Sequence, residues 1–319
     1  MTAPIVSPDD IRRARGVIAG RVHRTPLLSS AQLGGRTRTR LFLKAENLQK
    51  TGSFKPRGVL NKLHHLTPAE KRRGLITISA GNHAQALAYG AAAEGLRCVV
   101  VMPAGASETK IAASRAYGAE VIVGGTMHEA FEKVYELRDA RGLTLVHPFD
   151  DPLIIAGQGT VGLEVLDDLP EVDVVLVPIG GGGLISGVAA AIKGARPSAR
   201  VIGVEPEGAP TLTEALRAGT PVRLASVATI ADGLTAPMAG EHTLAHVRAL
   251  VDDVVLVSED DLARGVGAVL QFAKLLAEPA GAAGVAALLS GRVAVPPEAR
   301  VVAVLSGGNV DLPRLRDLL

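Results

Sequence analysis

The sequence predicts an α/β protein built on a doubly wound parallel sheet, or on two of them. Three observations carry that expectation. Short β-branched runs alternate with Ala- and Leu-rich amphipathic segments along the whole chain, the pattern of parallel strands joined by crossover helices. Several runs are apolar throughout rather than alternating, as when helices cover both faces of a sheet. Four strand-to-helix turns have an unusual composition, and such turns form the ligand-binding edge of an open α/β sheet.

Taken in order, the first helix opens at Ser7-Pro8-Asp9-Asp10, which supplies an N-cap, a proline for the first turn and early acidic residues. Strands are expected at 41–44, 75–79, 98–102, 120–123, 144–146, 174–178, 201–204, 254–257 and 301–305. Helices fit between them at 55–66, 82–94, 108–117, 127–141, 153–168, 184–193, 261–276 and 281–289, leaving 310–319 for a last helix. No repeat, linker or low-complexity tract marks a domain boundary. The polar turn from His147 to Pro152 is the one place where composition suggests a passage between lobes.

With 319 residues, 47% of them hydrophobic, the chain can bury one large core or two, and disorder is excluded. Lys and Arg number 34 against 32 Asp and Glu, a net charge of +2. Nucleic-acid binding calls for a concentrated basic face. Only Arg36 to Arg40 and Lys71 to Arg73 come close, and both read as solvated loop charges. The single Cys98 rules out a disulfide framework and a cysteine metal site, and reads as a buried strand thiol. Met1 to Arg15 shows no apolar signal-peptide core, and no run reaches the ~20 apolar residues of a membrane helix. A cytoplasmic protein without nucleic-acid or membrane partners is expected.

The chemistry is concentrated in the four turns. Thr51-Gly52-Ser53-Phe54-Lys55-Pro56-Arg57-Gly58 places Lys55 directly before a proline, hence at a helix start. Partial positive charge there eases loss of its proton and makes it a nucleophile. For an arbitrary lysine, an exposed solubilising charge is the commoner role. Ser79-Ala80-Gly81-Asn82-His83 leaves a strand and opens a helix; its free N–H groups suit a carboxylate or phosphate, although simple capping accounts for the Asn equally well. Gly180-Gly181-Gly182-Gly183-Leu184 follows the strongest strand. Four glycines in a row are justified where an anion must approach the main chain closely. A Rossmann site competes for this stretch, since Gly181-x-Gly183-x-x-Ser186 with Glu205 ending the next strand is a near miss. Ser306-Gly307-Gly308-Asn309 ends the last strand, where a hydroxyl can meet a ligand heteroatom or simply make a tight turn.

These segments, in this order, resemble the fold type II pyridoxal-phosphate enzymes, the tryptophan synthase β-like family, and within it the threonine/serine dehydratase and serine racemase subgroup. Lys44-Ala45-Glu46-Asn47-Leu48-Gln49 and Glu278-Pro279-Ala280-Gly281-Ala282 extend the resemblance over nearly the whole chain. It implies two doubly wound open parallel-sheet domains: a large cofactor-binding one from 1–50 and 147–319, and a smaller mobile one from 51–146. It further implies that Lys55 is the Schiff-base lysine and moves the α-proton, with Phe54 packing near the cofactor. Gly180, Gly181, Gly182, Gly183 and Leu184 would hold the phosphate, Asn82 the ring hydroxyl, and Ser306 the pyridine nitrogen. Ser79, Ala80, Gly81, Asn82 and His83 would receive the substrate carboxylate.

The implied activity is conversion of L-threonine and/or L-serine to 2-oxobutanoate or pyruvate plus ammonia. Alternatives are a dehydratase of another 3-hydroxy amino acid (3-hydroxyaspartate, or one derived from hydroxyectoine), a racemase with side elimination, and a non-catalytic amino-acid-binding protein. Racemases of the family carry a serine where this chain has Ala80, which disfavours racemisation. The family's cation site maps to Glu205, Ala209 and Thr211; Thr211 replaces an aspartate, which should weaken mono- or divalent cation binding. A homodimer is expected by resemblance. The ten residues after the last motif leave no room for a regulatory domain, so feedback by isoleucine is not expected. The eight histidines form no zinc-ligand spacing, and His64-His65 reads as helix surface.

Overall fold

A computed structural model describes residues 3–319; Met1 and Thr2, the start of the segment read for a signal peptide, lie outside it. The elements run α1 (Pro8–Ile18), β1 (Leu27–Ser29), α2 (Ala31–Thr37), β2 (Arg40–Lys44), α3 (Pro56–His65), α4 (Pro68–Arg73), β3 (Leu75–Ile78), α5 (Asn82–Ala93), β4 (Cys98–Met102), α6 (Glu108–Ala116), β5 (Glu120–Val123) and α7 (Met127–Arg141). They continue β6 (Thr144–Leu145), α8 (Pro152–Asp168), β7 (Val174–Pro178), α9 (Gly183–Ala195), β8 (Arg200–Pro206), α10 (Thr211–Ala218), α11 (Glu241–Leu250), β9 (Asp253–Val257), α12 (Glu259–Ala268), α13 (Pro279–Leu289), β10 (Arg300–Val304) and α14 (Leu312–Leu318).

Two sheets result. One has six strands in the order β1-β2-β10-β7-β8-β9, the other four in the order β5-β4-β3-β6. Every neighbouring pair is parallel except β1 with β2. Apolar clusters fill both faces of each sheet, which is why β3, β4 and β7 are buried at every position. In the six-stranded sheet the chain moves outward from β7 through β8 to β9, then returns to place β10 on the other side of β7. The four-stranded sheet repeats the manoeuvre, with β6 returning beside β3. Each reversal opens a crevice at the strands' carboxyl ends, where α/β sheets bind ligands.

The start of α1 follows the expected logic, with Ser7 and Asp10 forming a reciprocal capping box. The expected helix at 261–276 is shorter. It begins at Glu259, ends at Ala268, passes through a single π turn at Val269–Ala273 and stops at left-handed Lys274 (φ 60°). Strand β1 and helices α2, α4, α10 and α11 are additions to the elements read from sequence. All but the ten-residue α11 are short, and β1 has only three residues. The two basic runs also differ from expectation. Lys71, Arg72 and Arg73 form the last turn of α4 and Arg36 stands in the last turn of α2, where cations complement the helix dipole. Cys98 is buried in β4, and burial pushes its thiol up to about 12. Among the described residues, no helix is long and apolar enough to cross a membrane.

Candidate active site

The two crevices face each other across one cavity. It is lined by residues following β3 (Ser79 to His83), β6 (Pro148, Phe149), β7 (Gly180 to Leu184) and β10 (Ser306), with Phe54 and Lys55 beside them. All four turns singled out in the sequence therefore meet at one place.

The Lys55 turn is tied directly to the Ser306 turn. Phe54 N donates to Ser306 O (3.1 Å), Gly308 N donates to Gly52 O (2.9 Å), and Ser53 bridges Gly307. Lys55 is the N-cap of α3, with Pro56 following. Its ammonium donates to Pro148 O at 2.9 Å and lies 5.1 Å from the Phe54 ring centre. Among the described residues no carboxylate reaches it. Burial lowers its pKa from 10.5 to about 8, so desolvation eases its deprotonation. Two residues on, fully buried Arg57 donates to both Glu46 and Glu164, while Lys44 donates to Glu164 at 2.6 Å. This balanced quartet locks β2, α3 and α8 together behind the cavity wall.

On the four-stranded side, the turn closes on itself, with Gly81 N donating to Ser79 Oγ at 3.0 Å. A Cβ on Gly81 would stand 2.2 Å from Lys110 Cδ, so only glycine lets Lys110 pass. Asn82 donates its amide to Glu278 and accepts from Asn309 Nδ2 at 2.9 Å. His83 is buried, its pKa driven well below 6.5 by desolvation, and its Nδ1 has no partner.

The glycine loop is built for close approach. Gly182 has φ +90°, a conformation that favours glycine. A Cβ on Gly181 would lie 2.3 Å from the Phe149 ring. Helix α9 then starts at Gly183 without a side-chain cap. Among the described residues no acceptor takes the N–H groups of residues 180–185. A cluster of free donors at the N-terminus of a 13-residue helix suits a phosphate. An enclosed amine across the cavity suits an aldehyde. The wall thus fits pyridoxal phosphate by its own chemistry.

The expected cation residues come together but leave little for a cation. Glu205 is buried at the end of β8, and burial raises its pKa to about 7. Its oxygens accept from Leu212 N (2.6 Å), Thr213 N (2.9 Å) and Thr213 Oγ1 (2.7 Å), capping α10. Thr211 donates to Ala236 O (2.7 Å), and Ala209 O accepts from Thr211 N. Among the described residues no group of three His, Cys, Asp or Glu side chains is placed to hold a metal.

Sequence reasoning missed several cavity residues. Lys110 donates to Asp232 (2.9 Å) and Glu278 (3.0 Å) inside it, and Phe149, Met127 and Phe131 form apolar wall. Glu278 stood in a segment already noted for its resemblance. Lys110 sits inside an ordinary helix, and nothing local distinguishes it.

A chain with this double-crevice architecture and wall is an α/β cofactor enzyme, and sequence comparison agrees. The profile of the family described as "Pyridoxal-phosphate dependent enzyme" matches residues 18–307. The chain is 45% identical to L-threonine dehydratase catabolic TdcB of Escherichia coli (strain K12) over 315 residues, covering 98% of this chain and 96% of that protein. Among solved structures, a threonine deaminase from T.th. is 43% identical with a TM-score of 0.90, covering 96% of this chain and 99% of that one. Maize serine racemase is 37% identical with a TM-score of 0.93, covering 98% and 97%. The chain belongs to the pyridoxal-phosphate-dependent enzyme family, in its threonine dehydratase and serine racemase branch.

Proposed function

We propose that this enzyme is an ammonia-lyase that converts L-threonine and/or L-serine to 2-oxobutanoate or pyruvate and ammonia. One observation carries the assignment of roles: among the described residues, one cavity wall holds an amine with no carboxylate partner and a run of unpaired backbone N–H groups. When bound, pyridoxal phosphate supplies the electron sink for charge developing at the substrate Cα.

The chain's residues supply the rest. Lys55 would hold the cofactor through its amine, and the same amine, placed in the cavity beside Pro148 O, is the group that takes the α-proton. A pKa near 8 keeps a useful fraction of that amine unprotonated close to neutral pH. Residues 180–184 hold the phosphate through main-chain N–H groups, and Phe54 packs near the cofactor. Asn82, oriented by Glu278 and Asn309, meets the ring hydroxyl. Ser306, on the cavity wall, would offer a neutral hydroxyl rather than a carboxylate to the ring nitrogen. The Ser79 to His83 turn receives the substrate carboxylate. Water leaves across Cα and Cβ, and the enamine hydrolyses to the 2-oxo acid and ammonia.

Ala80 has no hydroxyl to serve as a base on the opposite substrate face, which favours elimination over racemisation. Residues 51–146 form the smaller, mobile domain in this reading, with 1–50 and 147–319 the larger one; the enzyme works as a cytoplasmic homodimer. The test is to load the purified protein with pyridoxal phosphate and assay 2-oxo acid release from each substrate. Release from threonine or serine is expected. Cofactor binding with no oxo acid from either would overturn the assignment while leaving the family intact.

A further inference from the structure

Lys110 reaches from α6, beside the four-stranded sheet, to carboxylates on the opposite side of the cavity. Its ammonium stands 2.9 Å from an Asp232 oxygen and 3.0 Å from a Glu278 oxygen. The remaining Glu278 oxygen is taken by Asn82. Asp232 also lies 3.7 Å from Arg314, which is not part of the cavity wall. Among the described residues, the charged side chains of the wall are Lys55, Lys110, Asp232 and Glu278. Once Lys55 is committed to the cofactor, one cation faces two carboxylates, and that cation already has both as partners. The nearby wall formed by Met127, Phe131, Ala236 and Pro237 is apolar.

We propose that the saturated Lys110 cluster and this apolar wall set the enzyme's side-chain specificity: the site accepts neutral 3-hydroxy amino acids and excludes those whose side chain carries a second carboxylate. The proposal rests on the ammonia-lyase reading above. An incoming carboxylate loses its water and finds no free cation in the described wall to replace its hydration, because Lys110 is already held by Asp232 and Glu278. A methyl group finds apolar surface. Exclusion therefore comes from desolvation that no wall group makes good, one of the routes by which a site discriminates between substrates of one size. The chemistry is the same for both classes. Loss of water and later uptake of water to release ammonia convert L-threonine to 2-oxobutanoate, and would convert 3-hydroxyaspartate to oxaloacetate, with no oxidant or reductant consumed.

The test compares kcat/KM for L-threonine and L-threo-3-hydroxyaspartate in the cofactor-loaded protein, reading 2-oxo acid release. The wild type should favour threonine by about a hundredfold. Asp232→Asn leaves Lys110 with one carboxylate, and the ratio should fall about tenfold. Phe131→Arg places an unpaired cation on the apolar wall and should move the ratio the same way, even if Asp232→Asn fails to fold. Damage to folding lowers both rates together and leaves their ratio unmoved. Wild-type enzyme using 3-hydroxyaspartate as well as threonine, or a ratio unchanged in both folded variants, would overturn the proposal while sparing the lyase reading. No oxo acid from either substrate or from serine would instead overturn the lyase reading itself.

Discussion

The cavity contains two lysines in opposite electrostatic settings. Lys55, on the turn before α3, has a main-chain carbonyl for its ammonium and no carboxylate, so burial alone acts and its pKa falls to about 8. Lys110, on α6, is buried too, and burial likewise works against its charge. Glu278 and Asp232 outweigh that penalty and raise its pKa above 10.5. The same residue type in the same cavity is thereby divided by its neighbours into an amine that gives up its proton easily and a fixed cation. The contrast explains why one lysine is suited to covalent chemistry and the other to shaping the wall.

Removing each lysine should break the cavity in a different way. Lys55→Ala is expected to lower 2-oxo acid production by on the order of a thousandfold or more, with little change in Tm. Lys110→Met removes the partner of a buried carboxylate and should destabilise the fold by about 3–5 kcal/mol, measurable by denaturant unfolding. Attachment of the cofactor to Lys55 should survive. A Lys110 variant that folds normally but takes up no cofactor would reverse the two roles.

How far the sequence carries this contrast depends on where each lysine's signal resides. Lys55 is legible because Pro56 places it at a helix start and small residues surround it, and the glycine loop is legible because four consecutive glycines are so unfavourable elsewhere. The lowering of the lysine's pKa by enclosure, however, depends on residues distant in sequence. Lys110 owes its role to Asp232 and Glu278, more than a hundred residues away, and no local pattern reports such a pairing. The fold shows the same division. Strands apolar on both faces announced themselves, whereas β1 and helices α2, α4, α10 and α11 depend on tertiary packing for their definition. Glu205 divides in the same way: its place at a strand end is legible, whereas only the fold reveals that α10 supplies donors to its carboxylate.

The depressed pKa also predicts a pH dependence. The reactive form of Lys55 is the free amine, so the cofactor-free protein should take up pyridoxal phosphate faster as pH rises, levelling off above about 8. A lysine with an ordinary value would keep accelerating toward 10.5. Uptake followed by absorbance checks this. Because the folded-state pKa lies below the unfolded one, the cofactor-free protein should also gain stability as pH rises from about 8 toward 10.5, where the unfolded chain still holds the proton.

Packing around the glycine loop sharpens the other half of the site. Gly181→Ala would drive a methyl into the Phe149 ring, costing about 1–3 kcal/mol through overpacking, and should weaken cofactor retention on dialysis. The smallest effect is expected at Ala80. Ala80→Ser introduces a hydroxyl on the carboxylate turn and should add slow formation of D-serine from L-serine, read by chiral chromatography, with elimination still dominant.

The central claim is that the lysine lacking a carboxylate partner is the one that bonds the cofactor. Borohydride reduction of the holoenzyme, followed by peptide mapping, tests it directly. The account predicts a pyridoxyl adduct on the peptide containing Lys55 and none on the peptide containing Lys110. An adduct on Lys110, or on neither, would contradict it.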